Sequence, residues 1–175
     1  MRIILDMDEV IVDNYAEYRR QYRELLGVEV DPAAYHGRKI YDLPGAESIR
    51  DTLYHKGHFR NLPPMAGALE GVRELYDKHE VWIVTASMEF RYSFLEKYEW
   101  IEEHLPFFPW KRLYFCGDKR LVTGDYMVDD KVRNLRTFNG TGVLFSASHN
   151  AHDTGYDRVN NWDELLAYFR ERESA

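Results

Sequence analysis

Apolar residues occur along this chain either in short continuous runs or at helical spacing, and these two patterns predict its strands and its helices. Residues 2–7, RIILDM, form an apolar run that is rich in Ile and too short for a helix, which is typical of a buried strand. Residues 14–27 carry aromatic and apolar side chains at helical spacing, with Asp13 or Asn14 as the cap. A second helix is predicted around residues 46–57. Four prolines mark the boundaries of this helical region: Pro32, Pro44, Pro63 and Pro64.

From residue 66 onward, predicted helices and strands alternate. Residues 66–79 predict an amphipathic helix, residues 80–87 a buried strand, and residues 90–105 a second helix. The apolar stripe of that second helix is predicted to comprise Phe90, Phe94, Leu95 and Tyr98. The remaining predicted elements are strands at 112–116, 125–130 and 141–147 and a closing helix at 162–172, with Trp162, Leu165, Leu166 and Phe169 facing inward. This alternation predicts an α/β fold in which helices flank a parallel sheet.

Polar residues follow three of the predicted strands. They are Asp6 and Asp8 at the end of the first, Thr85 and Ser87 at the end of the second, and Asp129 and Asp130 after the apolar run YMV of the strand at 125–130. Ligand sites of parallel sheets lie beyond the carboxyl ends of the strands. We therefore expect these residues to converge in one crevice.

A cluster of Asp6, Asp8, Asp129 and Asp130 would need a positive partner. Two carboxylates about 4 Å apart repel by about 4 kcal/mol at an effective dielectric near 20. Because the candidate ligands are all oxygen atoms, the expected ion is Mg²⁺ rather than zinc. The alternative is that these acids are separate helix caps and surface residues, but their joint occurrence after apolar strands favours a site.

Composition narrows the functional classes. The 175 residues fit one compact domain with a small insertion, and the formal net charge of −7 argues against binding to nucleic-acid polymers or anionic membranes. The single cysteine, Cys116, excludes an internal disulfide and suits a reducing compartment. No apolar stretch approaches the ~20 residues of a membrane span. We expect a soluble, unprocessed, cytoplasmic protein.

Four short segments resemble the motifs of the haloacid dehalogenase-like (HAD) phosphohydrolase superfamily, in the expected order. They are DMDEVIVD, VWIVTAS, GDK and YMVDDK. Further segments, HFRNLPPMAGALEGVREL, LEKYEWIEEHLP and GVLFSASHNAH, resemble the 5′(3′)-deoxyribonucleotidase family. This resemblance covers nearly the whole chain. It implies a Rossmann-like core at 1–14 and 63–175, with a helical cap inserted after the first motif at 15–62.

The resemblance also implies a role for individual residues. Asp6 would be the nucleophile that forms an aspartyl-phosphate, and Asp8 would be the general acid and then the general base, with its backbone carbonyl on the metal. Thr85 would bind the phosphate, and Lys119 would balance charge between phosphate and nucleophile. The implied ligands of Mg²⁺ are Asp6, Asp8, Asp130 and Asp129. Which of the last two touches the metal directly stays open.

Several positions depart from the family pattern. Ala86 and Ser87 stand where the family commonly has Ser-Pro, so Ala86 lacks a hydroxyl that Ser87 would have to replace. Asn14 stands where an aromatic is common, with Tyr15 beside it, whereas Phe59 keeps the aromatic expected near the nucleobase. These changes concern base and sugar preference. Among the remaining candidates, the segment His149, Asn150 and His152 is assigned no catalytic role, because it offers no third soft ligand for a metal.

The resulting hypothesis is a Mg²⁺-dependent phosphomonoesterase that acts on nucleoside monophosphates, with pyrimidine deoxynucleotides favoured. One alternative is a phosphatase for another small phosphomonoester, since the cap selects the substrate while the core performs the chemistry. Another is a noncatalytic nucleotide-binding protein, which would not need both a nucleophile and a proton donor. Family members are often dimers, so a homodimer is a possible assembly. The preference between 5′- and 3′-phosphates stays open.

Overall fold

A six-stranded parallel sheet forms the centre of the protein. The computed structural model describes residues 1–173. The strands lie in the order β3-β2-β1-β4-β5-β6, and every neighbouring pair is parallel. Their bounds are β1 Arg2–Leu5, β2 Glu80–Ala86, β3 Leu113–Cys116, β4 Tyr126–Asp129, β5 Thr141–Phe145 and β6 Asp157–Val159. The helices are α1 Asn14–Leu26, α2 Ala68–Lys78, α3 Ser93–His104, α4 Val132–Thr137 and α5 Trp162–Glu173. The predicted α/β class is confirmed.

The sheet order places the first and last acidic motifs side by side. β1 lies between β2 and β4, and Leu5 is in register with Val128 of β4. The Asp6 amide continues this ladder by donating to the carbonyl of Val128 at 2.9 Å. Asp6 and Asp129 therefore leave adjacent strands at the same edge of the sheet, 123 positions apart in the chain.

The cap leaves and rejoins the core through two antiparallel segments. Val12 pairs with Pro64, and the amides of Met65 and Asp13 donate to the carbonyls of Ile11 and Pro63. In the cap, α1 is confirmed with Asp13 as its cap, because the Asp13 side chain accepts from the amide of Ala16. The other cap elements are 3₁₀ turns: Pro32–Tyr35, Ile40–Asp42, Glu47–Tyr54 and Phe59–Asn61. The cap boundaries at 15 and 62 stay a prediction.

Two of the predicted elements differ in the structure. The helix predicted around 46–57 is a 3₁₀ segment at Glu47–Tyr54, and at its ends the amides of Ile49 and His55 donate to carbonyls three residues back, those of Ala46 and Thr52. Strand β6 was not predicted, because it has three residues and only Val159 is buried. Within residues 1–173, no helix is both long and apolar enough to cross a membrane.

The predicted inward stripe of α3 is wrong. Phe94 and Leu95 are 51% and 58% exposed, while the buried face includes Glu96 and Lys97 together with Trp100. The helical period fixes one inward face, and here that face carries two charged side chains that find partners on other elements. An apolar stripe was therefore the wrong guide to the orientation of this helix.

The packing of α2 against α5 depends on a glycine. A Cβ atom placed on Gly71 of α2 would lie 2.1 Å from the ring of Trp162, the first residue of α5. That ring is fully buried, and its Nε1 donates to the carbonyl of Val10 at 2.7 Å. The tryptophan therefore ties the C-terminal helix to the loop after β1, and Gly71 gives it room.

We expect Gly71→Ala to destabilise the protein by about 1–3 kcal/mol through overpacking, although Ala is the better helix former. The measurement is the free energy of unfolding in denaturant. Trp162→Phe removes the clashing part of the ring, so the double variant should lose less stability than the sum of the two single variants. A more stable Gly71→Ala variant would contradict this packing.

Candidate active site

The loop after β1 presents Asp6 and Asp8 at the carboxyl edge of the sheet. The amides of Ile11 and Val12 both donate to the carbonyl of Met7, which folds the chain back on itself directly after the strand. Glu9, inside this turn, has a positive φ of 61°, an uncommon conformation for a residue other than glycine. The tight loop therefore buries Asp6 while leaving Asp8 partly exposed.

Lys119 joins the first acidic motif to the last. Its Nζ lies 2.9 Å from Asp6 Oδ1 and 2.6 Å from Asp129 Oδ2, and its side chain is almost completely buried. Burial opposes its charge, but the two carboxylates outweigh this and hold the pKa of Lys119 above its usual value. The structure thus brings the side chains of Lys119, Asp6 and Asp129 together.

The adjacent residues Asp129 and Asp130 have different surroundings. The oxygens of Asp129 accept from Lys119, from the amide of Lys131 at 2.8 Å and from Asn134 Nδ2 at 3.0 Å. Both oxygens of Asp130 are buried and have no hydrogen-bond partner in the described part of the chain. His149 Nε2 lies 3.1 Å from Asp130 Oδ2, within ion-pair distance but without hydrogen-bond geometry. Asp130 is thus the acid with free ligand capacity.

Carboxylate oxygens of Asp6, Asp129 and Asp130 lie within 4.8 Å of one another. Burial, Asp129 and Asp130 together raise the pKa of Asp6 to about 7 despite Lys119. Burial also opposes ionisation of Asp130, but Lys131 and His149 hold its pKa well below the usual value. Buried oxygens without partners and an excess of negative charge fit a hard divalent cation. Asp6 and Asp130 have the oxygens to hold it.

A second polar group surrounds Asp8. Lys97 Nζ lies 2.6 Å from Asp8 Oδ2 and 2.9 Å from Thr85 Oγ1, and Asn14 Nδ2 lies 3.4 Å from Asp8 Oδ1. Burial opposes the charge of Asp8, yet the ammonium groups of Lys97 and Lys131 lower its pKa below the ordinary value. The structure therefore brings Thr85 and Asp8 together through a lysine that sequence reasoning did not single out.

A cavity of about 180 Å³ opens between this centre and the cap. Asp8 and Asp130 lie on its core side. The aromatic residues that line it are Tyr18, Tyr41, Phe59 and Phe90, and the basic ones are Lys39, Arg50, Lys131 and Arg133. Phe59, predicted near the base, thus shares a cavity with the proposed proton donor.

Four further residues that the sequence singled out lie around this centre. Ser87 is buried, and its hydroxyl has no hydrogen-bond partner in the described chain, whereas Ala86 lines a neighbouring depression beside Lys119. Asn14, which stands at a departure from the family pattern, contacts Asp8. His149, which was given no catalytic role, lies beside Asp130. Its Nδ1 lies 3.2 Å from the hydroxyl oxygen of Tyr15, and its backbone amide donates to that oxygen at 3.1 Å. The HNAH segment was weighed as a shared metal site and given no role, because its local pattern does not show the contact of His149 with Asp130.

The architecture is similar to that of solved HAD-like proteins, and an acidic crevice lies at the carboxyl edge of its sheet. One similar solved structure is a Bacillus subtilis protein described as a HAD-hydrolase bound to magnesium. The two chains superpose with a TM-score of 0.59 at 11% identity, covering 95% of this chain and 97% of that chain. At this identity the likeness concerns the fold.

Sequence comparison identifies the family. The profile of the family described as 5′ nucleotidase, deoxy (pyrimidine), cytosolic type C protein matches residues 1–172. A Staphylococcus aureus (strain Mu50) relative is 38% identical over 171 residues, covering 95% of this chain and 94% of the relative. The 5′(3′)-deoxyribonucleotidase of Bacillus subtilis (strain 168) is 33% identical over 166 residues, with coverage of 93% and 95%. The chain belongs to this family of nucleotide phosphomonoesterases.

The raised pKa values of buried acids predict how pH changes stability. Glu9 has a pKa raised to about 8 by burial, against the pull of Lys39, and Asp6 has one of about 7. Both groups are ionised in the unfolded chain above about pH 5 but keep their proton longer in the folded protein. Because the folded state then binds more protons, the metal-free protein should lose stability as pH rises from about 5 to about 8.

Mg²⁺ should offset that loss by occupying the carboxylate cluster. We expect it to raise the melting temperature more at about pH 8 than at about pH 5.5, where protons compete for Asp6. The measurement is thermal unfolding with Mg²⁺ and with a chelator at both pH values, and Asp130→Asn serves as the control that removes a ligand. Equal shifts at the two pH values, or an unchanged shift in the control, would contradict the proposed metal centre.

Proposed function

We propose that this chain hydrolyses the phosphomonoester of pyrimidine deoxyribonucleoside monophosphates through an aspartyl-phosphate on Asp6. The observation that carries the proposal is the buried bridge of Lys119 between Asp6 and Asp129, beside the free oxygens of Asp130. Binding alone does not require a buried cluster of carboxylates. A phosphoryl-transfer site does require a nucleophile and a positive partner in one place.

In the first step, an oxygen of Asp6 attacks phosphorus and the bond from phosphorus to the sugar oxygen breaks. The contacts of Asp6 with Lys119 and with the amide of Met7 both use Oδ1, which leaves Oδ2 as the attacking atom. Asp8, whose pKa Lys97 and Lys131 lower in the free protein, takes up a proton when the phosphate anion binds beside it and supplies that proton to the departing sugar oxygen. The products of this step are the nucleoside and a phosphorylated Asp6.

In the second step, water attacks the phosphorus of the aspartyl-phosphate, and the bond to Asp6 breaks. Asp8, which is now ionised, accepts the proton of that water, and inorganic phosphate leaves. The hydroxyl of Thr85 and the ammonium of Lys119 bind phosphate oxygens in both steps. Lys119 contacts Asp6 directly and Thr85 is joined to Asp8 through Lys97, which supports these roles.

Asp6, Asp130 and the backbone carbonyl of Asp8 would hold Mg²⁺, with Asp129 in an indirect role. When bound, the ion would neutralise charge on the phosphoryl group and on the carboxylates. The contacts of Asp129 support its indirect role, because its oxygens are already engaged by Lys119, Lys131 and Asn134. Its part is to orient Lys119.

The cavity supports a small base. Its volume of about 180 Å³ is below the range of about 300–1,000 Å³ that is usual for ligand pockets. A nucleotide would therefore enter by an opening of the cap, and a one-ring base would require less opening than a purine. The rings of Phe59 and Tyr18 offer stacking surfaces. A homodimer and a cytoplasmic location stay predictions.

The decisive assay is phosphate release from a panel of deoxyribo- and ribonucleoside 5′- and 3′-monophosphates and sugar phosphates, with Mg²⁺ and with a chelator. We expect selective, metal-dependent release from dUMP or dTMP. Asp6→Asn should retain less than about one thousandth of the activity and remain folded, because Asn is nearly isosteric with Asp and relieves acidic repulsion.

Other outcomes of this assay distinguish the alternatives. Preferential hydrolysis of sugar phosphates would keep the phosphatase chemistry but replace the substrate. Release that survives in Asp6→Asn would contradict the covalent mechanism, and no release from any compound by a folded, Mg²⁺-loaded protein would favour the noncatalytic alternative.

The adjacent acids should respond differently to substitution. Asp130→Asn should raise the Mg²⁺ concentration for half-maximal activity by roughly 100-fold, because it removes a ligand. Asp129→Asn should lower the maximal rate with a smaller change in the Mg²⁺ requirement, because it releases Lys119. A larger effect of Asp129→Asn on the Mg²⁺ requirement would reverse the assignment of the two acids.

A further inference from the structure

Helix α3 directs two adjacent charged residues into the protein. Glu96 is 4% exposed and Lys97 is fully buried. Burying either charge without partners would be strongly unfavourable. Their partners lie on different parts of the molecule, since Lys97 contacts the catalytic edge of the sheet and Glu96 contacts the cap. One turn of one helix therefore touches both halves of the proposed site.

Lys97 holds Asp8 and Thr85, the two side chains that are proposed to act on the leaving group and the phosphate. Its Nζ is 2.6 Å from Asp8 Oδ2 and 2.9 Å from Thr85 Oγ1. An ammonium group can only donate, so Thr85 Oγ1 accepts this bond and its own proton is directed elsewhere. The contact leaves the hydroxyl of Thr85 as a donor for a phosphate oxygen and restrains one oxygen of Asp8.

Glu96 fixes the cap segment that carries Phe59. Its carboxylate accepts from the amides of Gly57 at 2.5 Å, Phe59 at 3.1 Å and Arg60 at 3.3 Å. Three amides on one ionised carboxylate form a strong, charge-assisted set of hydrogen bonds. The ring of Phe59 lies with its centre 5.0 Å from Lys97 Nζ, so both charged side chains lie behind groups that line the cavity, Lys97 behind Asp8 and Glu96 behind Phe59.

We infer that Glu96 and Lys97 are positioning residues that divide the site between them. Lys97 aligns Asp8 and Thr85 for phosphoryl transfer, and Glu96 aligns Phe59 for recognition of the nucleobase. The inference rests on the proposed function and deepens it by assigning rate and base recognition to two consecutive side chains.

The test is steady-state and pre-steady-state kinetics of Lys97→Met and Glu96→Gln. The substrates are dUMP, deoxyribose 5-phosphate, which lacks the base, and p-nitrophenyl phosphate, whose leaving group needs little protonation. Glu102→Gln, an exposed charge removal on the same helix, is the matched control. Circular dichroism and thermal unfolding show which variants are folded, and Lys97→Gln replaces Lys97→Met if the latter does not fold.

Lys97→Met should lower kcat for dUMP by roughly 10²–10⁴-fold, the usual range for acid–base catalysis. With p-nitrophenyl phosphate it should give a burst of nitrophenolate equal to the enzyme concentration, because the intermediate forms but its hydrolysis lacks an aligned base. Glu96→Gln places an amide NH₂ against backbone donors, and it should raise KM for dUMP roughly tenfold. The increase in KM of Glu96→Gln for deoxyribose 5-phosphate should be several times smaller, because this substrate has no base for Phe59 to contact.

The outcomes separate this inference from the function on which it rests. Inactivity of the wild type on every nucleotide would remove the proposed function itself. An active wild type, with variants that match Glu102→Gln or lose activity equally on all substrates without a burst, would overturn only the division of roles. A burst in Lys97→Met together with a base-dependent KM in Glu96→Gln would establish it.

Discussion

The structure depends on the burial of carboxylates at the carboxyl ends of β1 and β4. Asp6, Asp129 and Asp130 bring three acids into one buried cluster, and Lys119 contacts Asp6 and Asp129 directly. Such a cluster is unfavourable by itself and becomes stable when a cation or a proton balances it. The topology creates this requirement, because adjacent parallel strands end at the same edge. The same requirement makes the crevice suited to a metal-assisted reaction of an anionic substrate.

The core and the cap contribute different parts of the proposed site. The core holds Asp6, Thr85 and Lys119 on strand ends and short turns, where packing limits their movement. The cap supplies aromatic rings to the cavity beside the acids, and most of its elements are short 3₁₀ turns. Helix α3 joins the two, because one of its faces binds both Asp8 and the turn at residues 57–60. Substrate choice can therefore vary through the cap while the chemistry stays in the core.

Some of this site could be predicted from the sequence, and the reason is physical. Asp6 and Asp8 interrupt an apolar strand, and an acid in that position must have a compensating partner. Lys119 was identified only through the order of the motifs, since a lysine in a turn is usually solvated. Lys97 and Glu96 were missed because the period of α3 was read from Phe94 and Leu95, which are exposed. Buried charges depend on partners that are distant in sequence, as with Lys97 and Asp8, and no local pattern encodes them. The fold could be predicted more fully than the site. The exceptions are β6 and the 3₁₀ turns, which are short and carry few buried positions.

A crystal structure of the protein with Mg²⁺ and beryllium fluoride, a stable mimic of an acyl phosphate, tests the central claim most directly. The account predicts a fluoroberyllate group bonded to a carboxylate oxygen of Asp6, a metal ion ligated by Asp6 and Asp130, and Lys119 still bridging Asp6 and Asp129. A metal ion held by Asp129 with Lys119 displaced, or a fluoroberyllate group bonded to a residue other than Asp6, would contradict it.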